Sequence, residues 1–191
     1  MKTKSIMITG VGGQGSLLAS KLLGRVLMNE GYDVKVSEVH GMAQRGGSVV
    51  TYVKFGDKVY SPVIEQGEAD ILISFEKLEA ARWIGFLKED GKIITSTQQI
   101  KPMPVVTGAM EYPKNLIEKI QEKNINITAI DALSLANKAG NSKAVNVVLI
   151  GVLASKMDFE KEKWLTAITQ CVPQKFLEIN KNAFEFGFNF K

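Results

Sequence analysis

An α/β fold in three layers, with helices on both faces of a mostly parallel sheet, is what this sequence predicts. Three observations carry the prediction. Short apolar, β-branched runs alternate with longer helix-periodic ones from residue 4 to residue 130, as doubly covered strands and their crossovers do. A glycine-rich turn, Gly10-Val11-Gly12-Gly13-Gln14-Gly15, separates the first run from the first helical stretch. From residue 141 onward the pattern is helical only.

Each element follows from local chemistry. Strands are expected at 4–9, 33–39, 48–55, 70–75, 92–97 and 126–130. The first helix is expected over 16–30, with Leu17, Leu18, Leu22, Val26 and Leu27 along one stripe and Gly31 as its stop. Residues 49–55 and 59–60 are separated only by Gly56-Asp57-Lys58, too little for a helical crossover, so an antiparallel hairpin inserted after the second strand is expected there. Residues 98–107, with Pro102 and Pro104, read as an extended connection, and 113–123 as an amphipathic helix begun by proline. Residues 144–154 are apolar nearly all round, which implies a helix buried on most sides. Asn146 inside it is either satisfied by local backbone or is a placed recognition group, since an unpartnered buried amide costs about 1–3 kcal/mol. Phe176, Phe184, Phe186, Phe188 and Phe190 crowd the end of the chain; core packing explains the first two, and the rest suggest a tail that docks on another surface.

Composition narrows the function. One domain over 1–191 is expected from the length. Cys171 is the only cysteine, which excludes an internal disulfide, a zinc ribbon and a cysteine-held iron-sulfur cluster, and fits a reducing, cytoplasmic setting. The net charge of +4 divides as +1 over the first 95 residues and +3 over the rest, so no basic pole points to nucleic acid. The N-terminus enters its first strand too early for a secretory signal, and no apolar run approaches the roughly 20 residues that span a bilayer.

The glycine turn lies between a strand and a helix, the context in which such a pattern is informative. Gly10 permits the tight turn, Gly12 lets backbone approach a phosphate, Gly13 and Gln14 complete the loop, and Gly15 lets the helix pack close to the strand. The fold is therefore expected to be Rossmann-like, with 10–15 as the cofactor-binding candidate. Glu38 ends the second strand, where such folds place an acid on ribose hydroxyls. The loop that follows gathers His40, Gln44, Arg45, Gly46 and Gly47 between two strands. Loops at this edge carry ligand contacts more often than packing. His40 is either a hydrogen-bonded structural residue or a catalyst. Arg45 fits an anion such as a phosphate or carboxylate, or else a salt bridge to Glu38 or Asp70.

The glycine turn, the run from Glu38 to Val49 containing Gln44-Arg45-Gly46-Gly47, and Ala139-Gly140-Asn141 with Asn146 and Gly151 resemble the gamma subunit or domain of the 2-oxoacid:ferredoxin oxidoreductases. Within that family the chain looks most like the beta subunit of the indolepyruvate-oxidising branch. The resemblance covers residues 6 to about 153. It implies a multisubunit enzyme that oxidatively decarboxylates a 2-oxoacid to acyl-CoA. The thiamine diphosphate, Mg2+ and [4Fe-4S] clusters would lie in a large partner subunit, electrons would pass to ferredoxin, and coenzyme A would be the co-substrate. This chain would then be an accessory piece, with no catalytic residue or metal ligand assigned to it. Glu38, His40, Gln44, Arg45, Gly46, Gly47, Asn141 and Asn146 would form its interface or ligand loop. Two other classes stay open: a stand-alone NAD(P)-binding oxidoreductase, on the glycine turn and Glu38, and a non-enzymatic interaction module, on the apolar helix and the phenylalanine-rich tail.

Overall fold

The computed structural model describes residues 3–41 and 47–190. Six strands form one mixed sheet: β1 (Lys4–Val11), β2 (Asp33–His40), β3 (Ser48–Gly56), β4 (Ala69–Ser74), β5 (Leu87–Ser96) and β6 (Asn126–Ile130), in the order β2-β3-β1-β4-β5-β6. The pairs β1/β4, β4/β5 and β5/β6 are parallel, whereas β3 runs antiparallel to both β1 and β2.

Side chains alternate across this sheet, and both faces are covered. Ile6, Ile8, Ile73 and Ile94 face one core, and Met7, Leu72 and Ile93 face the other. The first core is closed by α1 (Ser16–Asn29), α5 (Ala132–Lys138), α6 (Val145–Ala154), α7 (Lys161–Cys171) and α8 (Leu177–Phe188). The second core packs under α2 (Lys77–Arg82) and α4 (Leu116–Gln121). This double coverage is why the central strands β1 and β4 read as apolar runs, whereas the edge strand β2, with Val36 and Val39 exposed, alternates.

Several sequence expectations change. The antiparallel element is present, but its hairpin is β2–β3, not 49–55 with 59–60. Both edges of β3 are already taken, by Lys4↔Phe55 on one side and Asp33↔Gly56 on the other. The chain therefore leaves the sheet after Gly56, with Val59 N–H donating to Asp33 Oδ2 at 2.9 Å. Residues 98–107 are not wholly extended, because Met103–Val106 forms a short helix, α3, entered from Pro102. The helix expected over 113–123 occupies only Leu116–Gln121, since Asn115 sits in the left-handed region at φ 56° and starts it late. Leu17 leaves the predicted stripe of α1 and is 69% exposed.

The C-terminal tail is not a loose docking segment. It forms α8, which lies along α6 with Phe184 fully buried and Phe188 stacked on it at 5.7 Å between ring centroids. Phe176, expected in the core, is exposed, as are Phe186 and Phe190. Among the described residues no helix is long and apolar enough to cross a membrane.

Candidate functional site

The crossover through α1 lies on one face of the sheet and the crossover through α2 on the other. The connections therefore diverge between β1 and β4, and in open α/β sheets the crevice at the carboxyl ends of such strands is where ligands and partners are met. The glycine turn (after β1), Gly41 and Gly47 at the ends of β2 and β3, and the segment after β4 all reach this edge.

The glycine turn is held largely by contacts of its own chain. Gln14 folds back under it: Oε1 accepts from Val11 N–H at 2.7 Å, and Nε2 donates to the Phe75 carbonyl at 3.1 Å and to Gln98 Oε1 at 3.4 Å. Gly10 is needed there, because a Cβ would lie 2.9 Å from Gln14 Oε1 and 3.0 Å from the Phe75 ring. Gly12 N–H donates to the Gly47 carbonyl at 3.0 Å, joining the turn to the β2–β3 loop. Gly15 caps α1 in the left-handed region at φ 85°. A Cβ on it would stand 2.3 Å from Asn146 Nδ2.

Asn146 is buried, and its amide is satisfied by backbone, one end locally and the other by a distant segment. Nδ2 donates to the Gly15 carbonyl at 3.0 Å across 131 residues of sequence, and Oδ1 accepts from Val147 N–H at 2.8 Å. The polar group in the apolar helix thus pins the glycine turn to α6. Asn146→Ala is expected to cost about 1–3 kcal/mol by removing two hydrogen bonds, to the Gly15 carbonyl and from Val147 N–H, while Leu18 N–H and Ala19 N–H still donate to that carbonyl, with hydrogen exchange rising first at residues 12–18. Unchanged exchange there would show that the pin does not hold the turn.

Glu38 is engaged on both oxygens. Oε2 accepts from Ser16 Oγ at 2.9 Å and Thr51 Oγ1 at 2.8 Å, and Oε1 lies 2.7 Å from the exposed His40 Nε2. The acid that would take ribose hydroxyls in a dinucleotide fold therefore already has three partners. Asp70 is likewise committed, to Lys88 at 2.6 Å and Ser5 N–H at 2.7 Å. Asn141 caps the 3-10 turn Ser142–Ala144 by accepting from Lys143 N–H at 2.9 Å. Gln44, Arg45 and Gly46 lie outside the described residues.

Two buried acids that sequence reasoning missed complete the edge. Glu76, 1% exposed, caps α2 with Oε2, accepting from Leu78 N–H at 2.7 Å and Glu79 N–H at 3.0 Å. Its Oε1 accepts from Ile100 N–H at 3.1 Å and from the Tyr112 hydroxyl. Burial, then this hydrogen bond and the nearby negative charge, raise the Tyr112 phenol far above its ordinary value. Glu79 accepts from Ser48 Oγ, from Trp83 Nε1 at 3.2 Å and from Arg82 Nε at 3.0 Å. The one available signal was an acid directly after a strand with a second acid three residues on; the contact with Tyr112 depends on how residues 98–112 fold.

Between Val11, Ser48, Glu79, Arg82 and Ile100 lies a cavity of about 180 Å³. That is below the roughly 300 Å³ at which drug-sized ligand sites begin, so it suits a small polar group rather than a dinucleotide. A larger cavity of about 350 Å³, beside Tyr32, Phe55, Lys92 and Phe159, opens at the opposite, amino edge of the sheet. Among the described residues no group of three or more His, Cys, Asp or Glu could hold a metal ion. An iron-sulfur cluster does not fit this chain, whose single thiol, Cys171, is buried.

Solved structures share this architecture. The gamma subunit of keto/oxoacid ferredoxin oxidoreductase from Geobacter sulfurreducens superposes with a TM-score of 0.72 at 24% identity, covering 97% of this chain and 96% of that one. The pyruvate oxidoreductase subunit PORC of Thermotoga maritima gives 0.74 at 22%, covering 98% and 96%. In the 2-oxoglutarate:ferredoxin oxidoreductase of Magnetococcus marinus the match, at 0.75 and 15% identity, covers 98% of this chain but 31% of that one. The fold defined is the one these gamma-type subunits share.

The sequence comparison is more specific. The family model described as pyruvate ferredoxin/flavodoxin oxidoreductase matches residues 5–190. Indolepyruvate oxidoreductase subunit IorB of Thermococcus kodakarensis is 44% identical, and that of Pyrococcus horikoshii 45%, each over 98% of this chain and 95% of the relative. The chain belongs to the pyruvate ferredoxin/flavodoxin oxidoreductase family.

Proposed function

We propose that this subunit serves an oxidoreductase acting on indolepyruvate or a similar aryl pyruvate, within a cytoplasmic complex whose large partner holds the thiamine diphosphate, Mg2+ and [4Fe-4S] clusters. The observation that carries the substrate is the end-to-end similarity, at 44–45% identity, to curated indolepyruvate oxidoreductase subunits. Held in that partner, thiamine diphosphate would supply the carbanion stabilisation that decarboxylation needs, with coenzyme A as the acyl acceptor and the clusters as the electron route to ferredoxin. Nothing in this reading requires nucleic acid or a membrane.

The role of this chain is to shape the surface beside that chemistry. The glycine turn, Glu38, His40, Gln44, Arg45, Gly46 and Gly47, with Asn146 beneath and Asn141 nearby in sequence, form the face turned toward the partner and the path of coenzyme A. The hydrogen bonds of Gln14 and Asn146 support this reading, because they hold the turn in shape without a ligand. A phosphate-bearing group such as that of coenzyme A would then meet Gly12, Gly13 and Arg45 from outside.

Co-expression of the chain with the large subunit, anaerobic purification and an indolepyruvate- and coenzyme A-dependent dye-reduction assay test the proposal. The complex is expected to be active and the isolated chain inactive. A large subunit equally active alone would overturn it. Micromolar binding of a nicotinamide nucleotide to the isolated chain would instead favour the stand-alone dehydrogenase, whose ribose-binding acid the geometry leaves fully engaged.

A further inference from the structure

Residues 98–112 form an arm outside both cores whose two ends meet at one carboxylate. Glu76 Oε1 accepts from Ile100 N–H at the arm's start and from the Tyr112 hydroxyl at its end. Lys77 adds a backbone bond to the Gln98 carbonyl at 3.2 Å and places its ammonium 5.7 Å from the centroid of the Tyr112 ring. The arm is also ordered within itself. Pro102 starts α3, Thr107 Oγ1 donates to the Met103 carbonyl at 3.0 Å, and Met110 N–H donates to the Pro104 carbonyl at 3.0 Å.

What this clamped arm presents is apolar. No charged residue lies between Lys101 and Glu111. Met103, Val106 and Met110 are 61%, 61% and 65% exposed. Single exposed apolar side chains are ordinary; three on one pre-ordered, uncharged element mark a surface that is covered in the working assembly. Order imposed before binding lowers the entropy lost on docking, and methionine adapts to an irregular groove.

We infer that this arm is a docking element that inserts its apolar side chains into a groove of the large catalytic subunit; the inference rests on the heteromeric reading above. Two observations favour that occupant. The arm rises from the carboxyl edge, where Ile100 and Pro102 line the same small cavity as Val11 and Ser48, so it continues the face proposed above to meet the partner. In the Magnetococcus marinus structure the same fold is 31% of a longer oxidoreductase chain, so there it is built into a larger catalytic assembly. A second copy fits less well. A two-fold contact would set the same three side chains against themselves and bury far less than the roughly 1,200–2,000 Å² of a stable interface.

The test is the double variant Met103→Asp with Val106→Asp, measured against the large subunit by biolayer interferometry and compared with the native chain. Association is expected to weaken by about 100-fold, as for loss of two central anchors, while the melting curve of the isolated chain is unchanged because both residues are exposed. Binding within threefold of the native chain would overturn the inference. Hydrogen exchange gives a second readout that needs no variant: residues 98–112 should gain protection when the large subunit is added, and an unprotected arm in the formed complex would equally overturn it. A native homodimer that the double variant dissolves would make a second copy the occupant and overturn it too. Failure of the native chain itself to bind the large subunit would be a different result, removing the heteromeric reading and this inference together.

Discussion

Gly187→Ala is expected to destabilise the chain by about 3 kcal/mol, at the upper end of the usual overpacking cost, lowering the melting temperature by roughly 6–12 °C for a domain of this size. A Cβ on Gly187 would stand 1.9 Å from the Val148 carbonyl oxygen, 2.8 Å from its carbon and 3.1 Å from Val152 N. These are backbone atoms, so no rotamer change relieves the clash. The contact is reciprocal: a Cβ on Gly151 would lie 2.3 Å from the Phe184 carbonyl oxygen and 2.8 Å from Phe188 N. α6 and α8 therefore cross backbone to backbone, each supplying one glycine. Helix propensity acts in the opposite direction, favouring alanine by about 1 kcal/mol, so a net loss isolates the steric term. Gly24→Ala in α1 is the matched control, since its nearest neighbour would be Val36 Cγ2 at an ordinary 4.0 Å. A Gly187→Ala protein that melts at or above the native temperature would show that the helices are not in such contact.

That crossing marks where sequence reading reached and where it stopped. The strands were legible because a strand covered on both faces is apolar at nearly every position, and β6 spans Asn126–Ile130 as expected. The buried helix was legible for the same reason, and Gly151 stood out within the family resemblance. Its partner Gly187 did not, because the need for that glycine is created by a helix 36 residues away. The hairpin was misplaced because a short turn signal at 56–58 says nothing about whether the edge of the preceding strand is free. At the site, the glycine turn and Asn146 each drew attention separately, but only tertiary packing brings the Asn146 amide to the Gly15 carbonyl. Glu76 did not stand out at all, since three of its four donors come from backbone and the fourth from Tyr112. Side chains whose partners are main-chain groups leave little trace in composition or periodicity.

Glu76→Ala is expected to cost at least about 3 kcal/mol, since it strands four donors of which each buried, unsatisfied one costs about 1–3 kcal/mol. The donors are Leu78 N–H and Glu79 N–H at the start of α2, Ile100 N–H and the Tyr112 hydroxyl. Glu76→Gln should fall between the variant and the native chain, because one amide oxygen remains an acceptor while the amide nitrogen must face donors. Tyr112 supplies the spectroscopic readout. Burial raises its phenol, and the Glu76 hydrogen bond and charge raise it further. In the native chain Tyr112 should therefore ionise well above the ordinary value of about 10, and in Glu76→Ala it should move back toward that value. The sign for stability follows from linkage: a raised folded-state pKa contributes fully below the unfolded value of about 10 and is lost as pH climbs through the higher folded one. The stability gap between native and variant should thus be constant from neutral pH to about 10 and narrow above it. Loss of the clamp should also act locally, speeding hydrogen exchange at residues 98–112 while α6 and α8 remain protected, because the arm lies outside both cores. If Tyr112 instead titrates at the ordinary value of about 10 in the native chain, Glu76 does not hold it, and the arm must owe its order to the internal bonds around α3 alone.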